Sequence, residues 1–196
     1  MESGGGISPD LFAACQNGDR EAWRELYEAH RDRVYSIALH FLHGDSAAAA
    51  DVTQQVFLKL MDSIGTYRGT ANFATWLHRI VVNACLDAGR RTHRSRLVHE
   101  PIALEAAASS STPVDTQIDR QEVAHTVQDA IAALPPKLRI AVLLRYVDEL
   151  GYAEMATALN CSVGTVSSRL SRAHRLLAER LKALSSIAQP RAPGRN

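Results

Sequence analysis

Between Phe73 and Arg96 the chain carries one long amphipathic stretch, and that stretch leaves little choice of fold class. Phe73, Trp76, Leu77, Ile80 and Ala84 fall at i, i+3, i+4, i+7 and i+11, the spacing of a single apolar stripe on a helix. The other face carries Thr75, Arg79, Asn83, Asp87, Arg90 and Arg91, and the run ends in cations through Arg96. The spacing predicts a helix from Phe73 to Arg94, about 33 Å long at 1.5 Å per residue. Such a helix can lie across a DNA groove with its apolar side packed. Taken alone, it serves equally well as a bundle helix with a solvated basic end.

Similar patterns fill the rest of the chain. Pro9 follows Ser8 as a helix start, with Leu11, Phe12 and Cys15 on it, and Asn17-Gly18-Asp19 is a turn. Ala22, Trp23, Leu26, Tyr27 and His30 share a face that continues or kinks into Val34, Ile37, Ala38, Phe41 and Leu42. After Gly44-Asp45, a helix from Ser46 to Ile64 is expected to bury Val52, Val56, Phe57 and Leu60 and to display Asp51, Gln54, Gln55 and Lys59. Val98 to Ile118 contains Ala106-Ala107-Ala108-Ser109-Ser110-Ser111-Thr112-Pro113, too poor in large apolar residues to fold, and reads as a linker. Fully extended it reaches about 70 Å, but as a coil it spans only about 25 Å. It permits two separated modules without holding them apart. Beyond it, Val123, Val127, Ala130, Ile131 and Leu134 form one helix, stopped by Pro135-Pro136, and Leu138 to Val147 form another.

At 46% hydrophobic, with few aromatics, the chain suits an all-helical protein, and its 196 residues suit one or two domains. The net charge of +1 names no partner, but its distribution is uneven. Acidic residues prevail from Asp10 to Asp62, whereas Arg79 to Arg96 and Arg169 to Lys182 are basic, so one chain offers both a cation-facing and a polyanion-facing surface. Cys15, Cys85 and Cys161 form no paired pattern and suit a reducing cytosol. No run approaches the roughly 18 apolar residues a membrane span needs, and Met1 to Gly6 lacks a signal-peptide layout. A soluble cytoplasmic protein is expected.

Tyr152 to Ala173 reads as a helix-turn-helix. Ala156 lets two helices cross closely, Asn160-Cys161-Ser162 is a short turn, and Val166 and Leu170 can pack back on Met155 and Leu159. Thr165, Ser167, Ser168, Arg169, Ser171 and Arg172 then project from the start of the second helix, where this motif reads base edges and meets phosphates. The motif alone does not separate repressors, activators and polymerase subunits.

Three segments together resemble the extracytoplasmic-function group of bacterial sigma factors: Asp51-Val52-Thr53-Gln54-Gln55-Val56-Phe57-Leu58-Lys59-Leu60, the stretch Phe73 to Arg91, and Leu134-Pro135-Pro136-Lys137-Leu138-Arg139 followed by Gly164 to Ala173. The resemblance covers nearly everything from Leu11 to Leu184. It implies an all-α chain of two helical domains, a region 2 bundle over 8–97 and a region 4 helix-turn-helix domain over 119–184. A flexible linker over 98–118 joins them, and a disordered tail occupies 185–196. It further implies that Asp51, Gln54 and Gln55 bind the β′ clamp helices of core RNA polymerase, with a second contact to the β flap. Thr66, Tyr67, Arg68 and Asn72 fall where the family captures a flipped base of the −10 element. Arg79, Asn83, Asp87, Arg90 and Arg91 lie along the helix that follows and belong to the same reader. Thr165, Ser167, Ser168, Arg169, Ser171, Arg172 and Arg175 fall in the −35 reader. Two positions depart from the pattern: Ser167 stands where Lys or Arg is common, and Gly151 where a Ser often caps the first helix of the motif.

A magnitude bears on mechanism. Unstacking ten base-pair steps costs about 14 kcal/mol at roughly 1.4 per step, and one captured base returns only about 1–3 kcal/mol. The chain is therefore expected to guide core polymerase rather than melt DNA alone, to be monomeric when free, and by resemblance to be restrained by an anti-sigma factor. A stand-alone helix-turn-helix regulator with an N-terminal sensing or dimerisation domain is the second reading, and a polymerase adaptor that reads no DNA is the third. No nucleophile, general base or phosphate-cradling loop stands out, so no enzyme activity, cofactor or metal is expected. His40, His43 and Asp45 read as surface residues, not ligands, and Cys161 as a structural thiol.

Overall fold

The computed structural model describes residues 7–67, 72–98 and 117–188, and among them are eight α-helices, one 3-10 turn and no strand. Helix α1 (Pro9–Gln16) starts where Ser8 Oγ accepts from the Leu11 amide at 3.1 Å. Gly18, at φ 80°, turns the chain as few other residues can. Asp19 then caps α2 (Arg20–Phe41), accepting from the amides of Glu21 and Ala22 at 2.8 and 3.0 Å. Helix α2 is continuous over its 22 residues. Asp45 caps α3 (Ser46–Ser63) in the same way, and a 3-10 turn (Ile64–Thr66) follows.

Helix α4 (Phe73–Val98) outlasts its expected end by four residues, and Asn72 Oδ1 accepts from its Ala74 amide at 3.0 Å. Leu26, Ile37, Phe41, Val52, Val56 and Leu60 are almost fully buried against Leu77, Val81 and Cys85 of α4. Fully burying each such side chain contributes about 1.5–3 kcal/mol. The α4 stripe differs from the expected one. Trp76 and Ile80 are only half-buried, whereas Thr75, His78, Val81, Cys85 and Ala88 lie inside. The helix is covered from two sides, by α2 and α3 and by the C-terminal half, so one stripe does not exhaust its buried surface.

The C-terminal half consists of α5 (Gln117–Ala132), α6 (Pro136–Tyr146), α7 (Tyr152–Ala158) and α8 (Val163–Ala188). Ala130 and Leu134 are buried at the end of α5 and just beyond it, but Val123 and Val127 remain 63% and 37% exposed, against the sequence expectation. Helix α8 runs through 185–188, and the remainder of the expected tail, with linker positions 99–116, lies outside the described residues.

The two halves do not stand apart. One apolar core runs from Phe41 and Leu77 through to Ile140, Leu144, Met155 and Leu170.

Candidate nucleic-acid interface

Three surfaces were expected, and each lies on a helix whose opposite side is locked into the core. On α3, Asp51 and Gln54 are exposed and Gln55 is half-buried. Beside Gln54 is a groove of about 350 Å³ lined by Tyr27, Tyr35, Phe57, Leu58 and Met61 among others. Leu58 and Met61 are 53% and 51% exposed. They follow Gln54 by one and two helical turns, so the i+4, i+7 spacing in the sequence already placed them on this face. Their residue type conceals them, because Leu and Met are most often buried.

On α4, Arg79, Asn83, Arg90 and Arg91 are exposed and Asp87 is half-buried. They succeed each other turn by turn along one side. The side is held in place from α3, where Gln55 Oε1 accepts from Arg91 Nη2 at 3.1 Å and Lys59 Nζ lies 4.0 Å from Asp87; within α4, Arg90 Nη1 donates to Asp87 at 3.0 Å. The loop before α4 is divided in role. Thr66 is exposed, with its hydroxyl donating to Ser63 O at 2.7 Å, and Asn72 caps α4. Tyr67 is half-buried in an aromatic cluster, its ring centroid 4.8 Å from that of Trp76 and 5.1 Å from that of Phe12. Arg68 lies outside the described residues.

On α8, Ser162 Oγ accepts from the Thr165 amide at 3.1 Å and pairs with Thr165 Oγ1 at 2.9 Å, capping the helix. Val166, Leu170 and Ala173 face inward. Ser167, Ser168, Ser171, Arg172 and Arg175 are exposed, with Thr165 half-buried among them. Ser168 Oγ donates to Thr165 O at 2.9 Å. Arg169 is half-buried, and its Nη1 lies 3.7 Å from Cys161 Sγ in the turn. Asn160 takes the left-handed conformation there, at φ 48°, which Asn tolerates better than most side chains. Gly151 precedes α7, and its amide donates to Glu154 at 2.8 Å, which is half of a capping box; without a side chain, Gly151 accepts nothing from the helix's first amides. The helical dipole and the exposed arginines give this end of α8 the sign that attracts phosphate. The exposed faces of α4 and α8 meet: Leu86, Arg90, Lys137, Arg169 and Arg172 line one cleft of about 500 Å³.

Two buried polar groups join the halves. Arg139 of α6 donates through Nη1 to Phe41 O at 2.7 Å and lies 2.7 Å from His43 Nε2, while Nη2 donates to Leu134 O at 3.0 Å. Asp148, in the turn after α6, is 1% exposed and is gripped by Arg33 of α2 and His78 of α4. Burial by itself would raise the Asp148 pKa, but the hydrogen bond and charge of His78, and then those of Arg33, hold it below the ordinary carboxylate range. His30 is pushed below the usual histidine value, first by burial and then by Arg33 and His78. His40 Nδ1 lies 2.7 Å from Ser36 O. Among the described residues no three His, Cys, Asp or Glu side chains are grouped to hold a metal, and no helix is long and apolar enough to cross a membrane.

Comparison with known proteins matches both halves. The family model for Sigma-70 region 2 matches residues 26–95, and that for Sigma-70, region 4 matches residues 124–177. RNA polymerase sigma-H factor of Pseudomonas aeruginosa is 32% identical over 181 residues, covering 89% of this chain and 93% of its own length. ECF RNA polymerase sigma-E factor of Escherichia coli is 32% identical over 184 residues, covering 89% and 94%. ECF RNA polymerase sigma factor SigW of Bacillus subtilis is 28% identical over 177 residues, covering 86% and 94%. Among solved structures, CnrH in complex with the cytosolic domain of CnrY shares the fold at a TM-score of 0.65 and 22% identity, over 89% of this chain and 96% of that one. RpoE of Bartonella quintana, in complex with the anti-sigma factor NepR, does so at 0.60 and 21%, over 81% and 96%.

Proposed function

The chain belongs to the sigma-70 family, in its extracytoplasmic-function group, and directs transcription initiation at specific promoters; from that premise we propose how its residues divide the task. Asp51, Gln54 and Gln55, with the apolar side chains of Leu58 and Met61 beside them, dock the β′ clamp helices of core RNA polymerase. A basic coiled coil with some apolar surface suits a face that offers one carboxylate, amides and exposed methyl-rich side chains. The C-terminal domain meets the β flap. Arg79, Asn83, Asp87, Arg90 and Arg91 read and hold the −10 element, with Thr66, Tyr67, Arg68 and Asn72 forming the pocket for a flipped base. Tyr67 and Trp76 supply the stacking surface there. Thr165, Ser167, Ser168, Ser171, Arg172 and Arg175 read the −35 element in the major groove, and Arg169 supports the turn beneath them.

One observation carries this reading: a single chain displays two basic helix faces and, on the helix that braces one of them, a separate polar and apolar groove in which Arg31 is paired with Asp32. A lone DNA-binding regulator would use the third only to dimerise or to sense, which the test below distinguishes. The free protein is a cytoplasmic monomer, and an anti-sigma factor restrains it. CnrH and the Bartonella RpoE were captured in complexes, the latter with an anti-sigma factor by name, which supports the same mode of control here. The test is run-off transcription with purified core polymerase and promoter fragments from the source genome, with and without the chain. Discrete transcripts that depend on the chain are expected. Tight dimeric binding to duplex in the absence of core, with no such transcripts, would favour the stand-alone regulator.

A further inference from the structure

We propose that Asp148, held between Arg33 and His78, locks the two domains in a closed form that the free chain must leave before it can read a promoter. This rests on the promoter-reading roles assigned above. The −10 and −35 elements are about 25 base pairs apart by name, or about 85 Å at 3.4 Å per step. In the closed form Arg90 of one reader and Arg169 and Arg172 of the other line the same cleft of about 500 Å³. A duplex, whose major groove alone is about 12 Å wide, does not enter such a cleft, and the two faces cannot reach both elements at once.

The lock has the chemistry of a specific catch. Arg33 donates through Nε to Asp148 Oδ1 and through Nη2 to the Asp148 backbone carbonyl, the latter at 2.9 Å. His78 Nε2 faces the other carboxylate oxygen, so α2 and α4 grip one residue of the C-terminal domain from two directions. The His78 side chain is 6% exposed, and its Nδ1 is buried without a hydrogen-bond partner, a defect that opening to water would repair. The next residue, Glu149, is held at φ 55°, a conformation that a residue with a side chain adopts only when its surroundings dictate it. Apolar surfaces can slide over each other; a buried carboxylate held by Arg33 on one oxygen and faced by the His78 ring on the other accepts one registry. Arg33 is 47% exposed and so can be reached from solvent.

The test measures closure and availability separately on the full chain. Arg33→Ala and Asp148→Asn are compared with wild type and with Arg24→Ala, a control that removes only a local ion pair with Glu21 on α2. Small-angle scattering gives the radius of gyration, and fluorescence titration with purified core polymerase gives the apparent affinity. If only the open form can engage the clamp helices and the β flap together, and it is about 1–10% of the free chain, releasing the catch raises apparent affinity by about ten- to a hundredfold. Both catch variants are expected to expand and to bind core more tightly, with circular dichroism unchanged and Arg24→Ala like wild type. Unchanged radius overturns the lock, and so does expansion without a gain in affinity. Should Asp148→Asn fail to fold, the surface variant Arg33→Ala decides, with Arg33→Lys expected to recover part of the closure. Wild type that fails to bind core would sink the polymerase reading instead, and the scattering comparison would still decide closure.

Discussion

The Arg91 guanidinium of α4 donates to the Gln55 side-chain oxygen of α3 at 3.1 Å, tying a residue assigned to promoter DNA to one assigned to polymerase. The two roles therefore separate by residue. Asp51→Ala and Gln54→Ala alter exposed side chains and leave α4 untouched, so each is expected to weaken core binding alone. Losing a hydrogen bond to a charged group costs about 1.5–3 kcal/mol, and Asp51 carries the charge. Gln55→Ala is expected to weaken core binding and, by freeing Arg91, also to slow promoter opening. Titration with core and permanganate footprinting measure the two effects; equal footprints for all three variants would break the proposed link.

Arg172 and Arg169 are expected to differ. Arg172 is exposed on the groove face, and Arg172→Ala should cost about 1–3 kcal/mol at the base it pairs with. The loss should vary with the sequence of the −35 element. Arg169 is half-buried against Cys161, so Arg169→Ala should lower the melting temperature more than it changes sequence preference. A uniform loss over all sequences for Arg172→Ala would reassign it to a phosphate.

Phe73 is 3% exposed within a cluster containing Phe12, His30, Tyr67 and Trp76. Phe73→Ala should destabilise by about 3–5 kcal/mol, the usual range for a buried aromatic. Trp76 is half-buried, so Trp76→Ala should cost about 1–3 kcal/mol and leave a folded protein that opens promoters poorly. Urea denaturation, paired with transcription assays, distinguishes the two; equal losses of stability would place Trp76 in the core after all.

Stability should fall on acidification in two steps. His30 has its pKa lowered in the fold, so the unfolded chain binds its proton first, and stability begins to drop as pH falls below about 6.5. Asp148 is also lowered, so its contribution is complete above about 3.9 and is lost as pH falls through its folded value. Denaturant midpoints measured from pH 7 downward should show both steps. His30→Gln should remove the upper one and Asp148→Asn the lower; an unaltered profile in either variant would contradict the assignment.

The helices were legible because their signals are local: Ser8, Asp19 and Asp45 cap where their side chains predict, and Val52, Val56 and Leu60 face inward at helical spacing. That Arg79, Asn83 and Arg90 of α4 and Ser168 and Arg172 of α8 lie exposed was legible for the same reason. What the sequence did not disclose depends on contacts between distant segments. Thr75 and His78 look like surface residues by periodicity, yet they are buried because α4 is covered on two sides. Trp76 looks like core, yet it lies at the rim with Tyr67. The meeting of Asp148 with Arg33 spans 115 positions, and no periodic pattern encodes it.

The shared core has a practical consequence for anyone who cuts the protein at its tether. Each fragment would keep its own helices but present a raw, greasy flank, and the N-terminal piece would also lose the guanidinium of Arg139 from the carbonyl of Phe41. Such pieces would tend to cling to each other, or to themselves, in the tube.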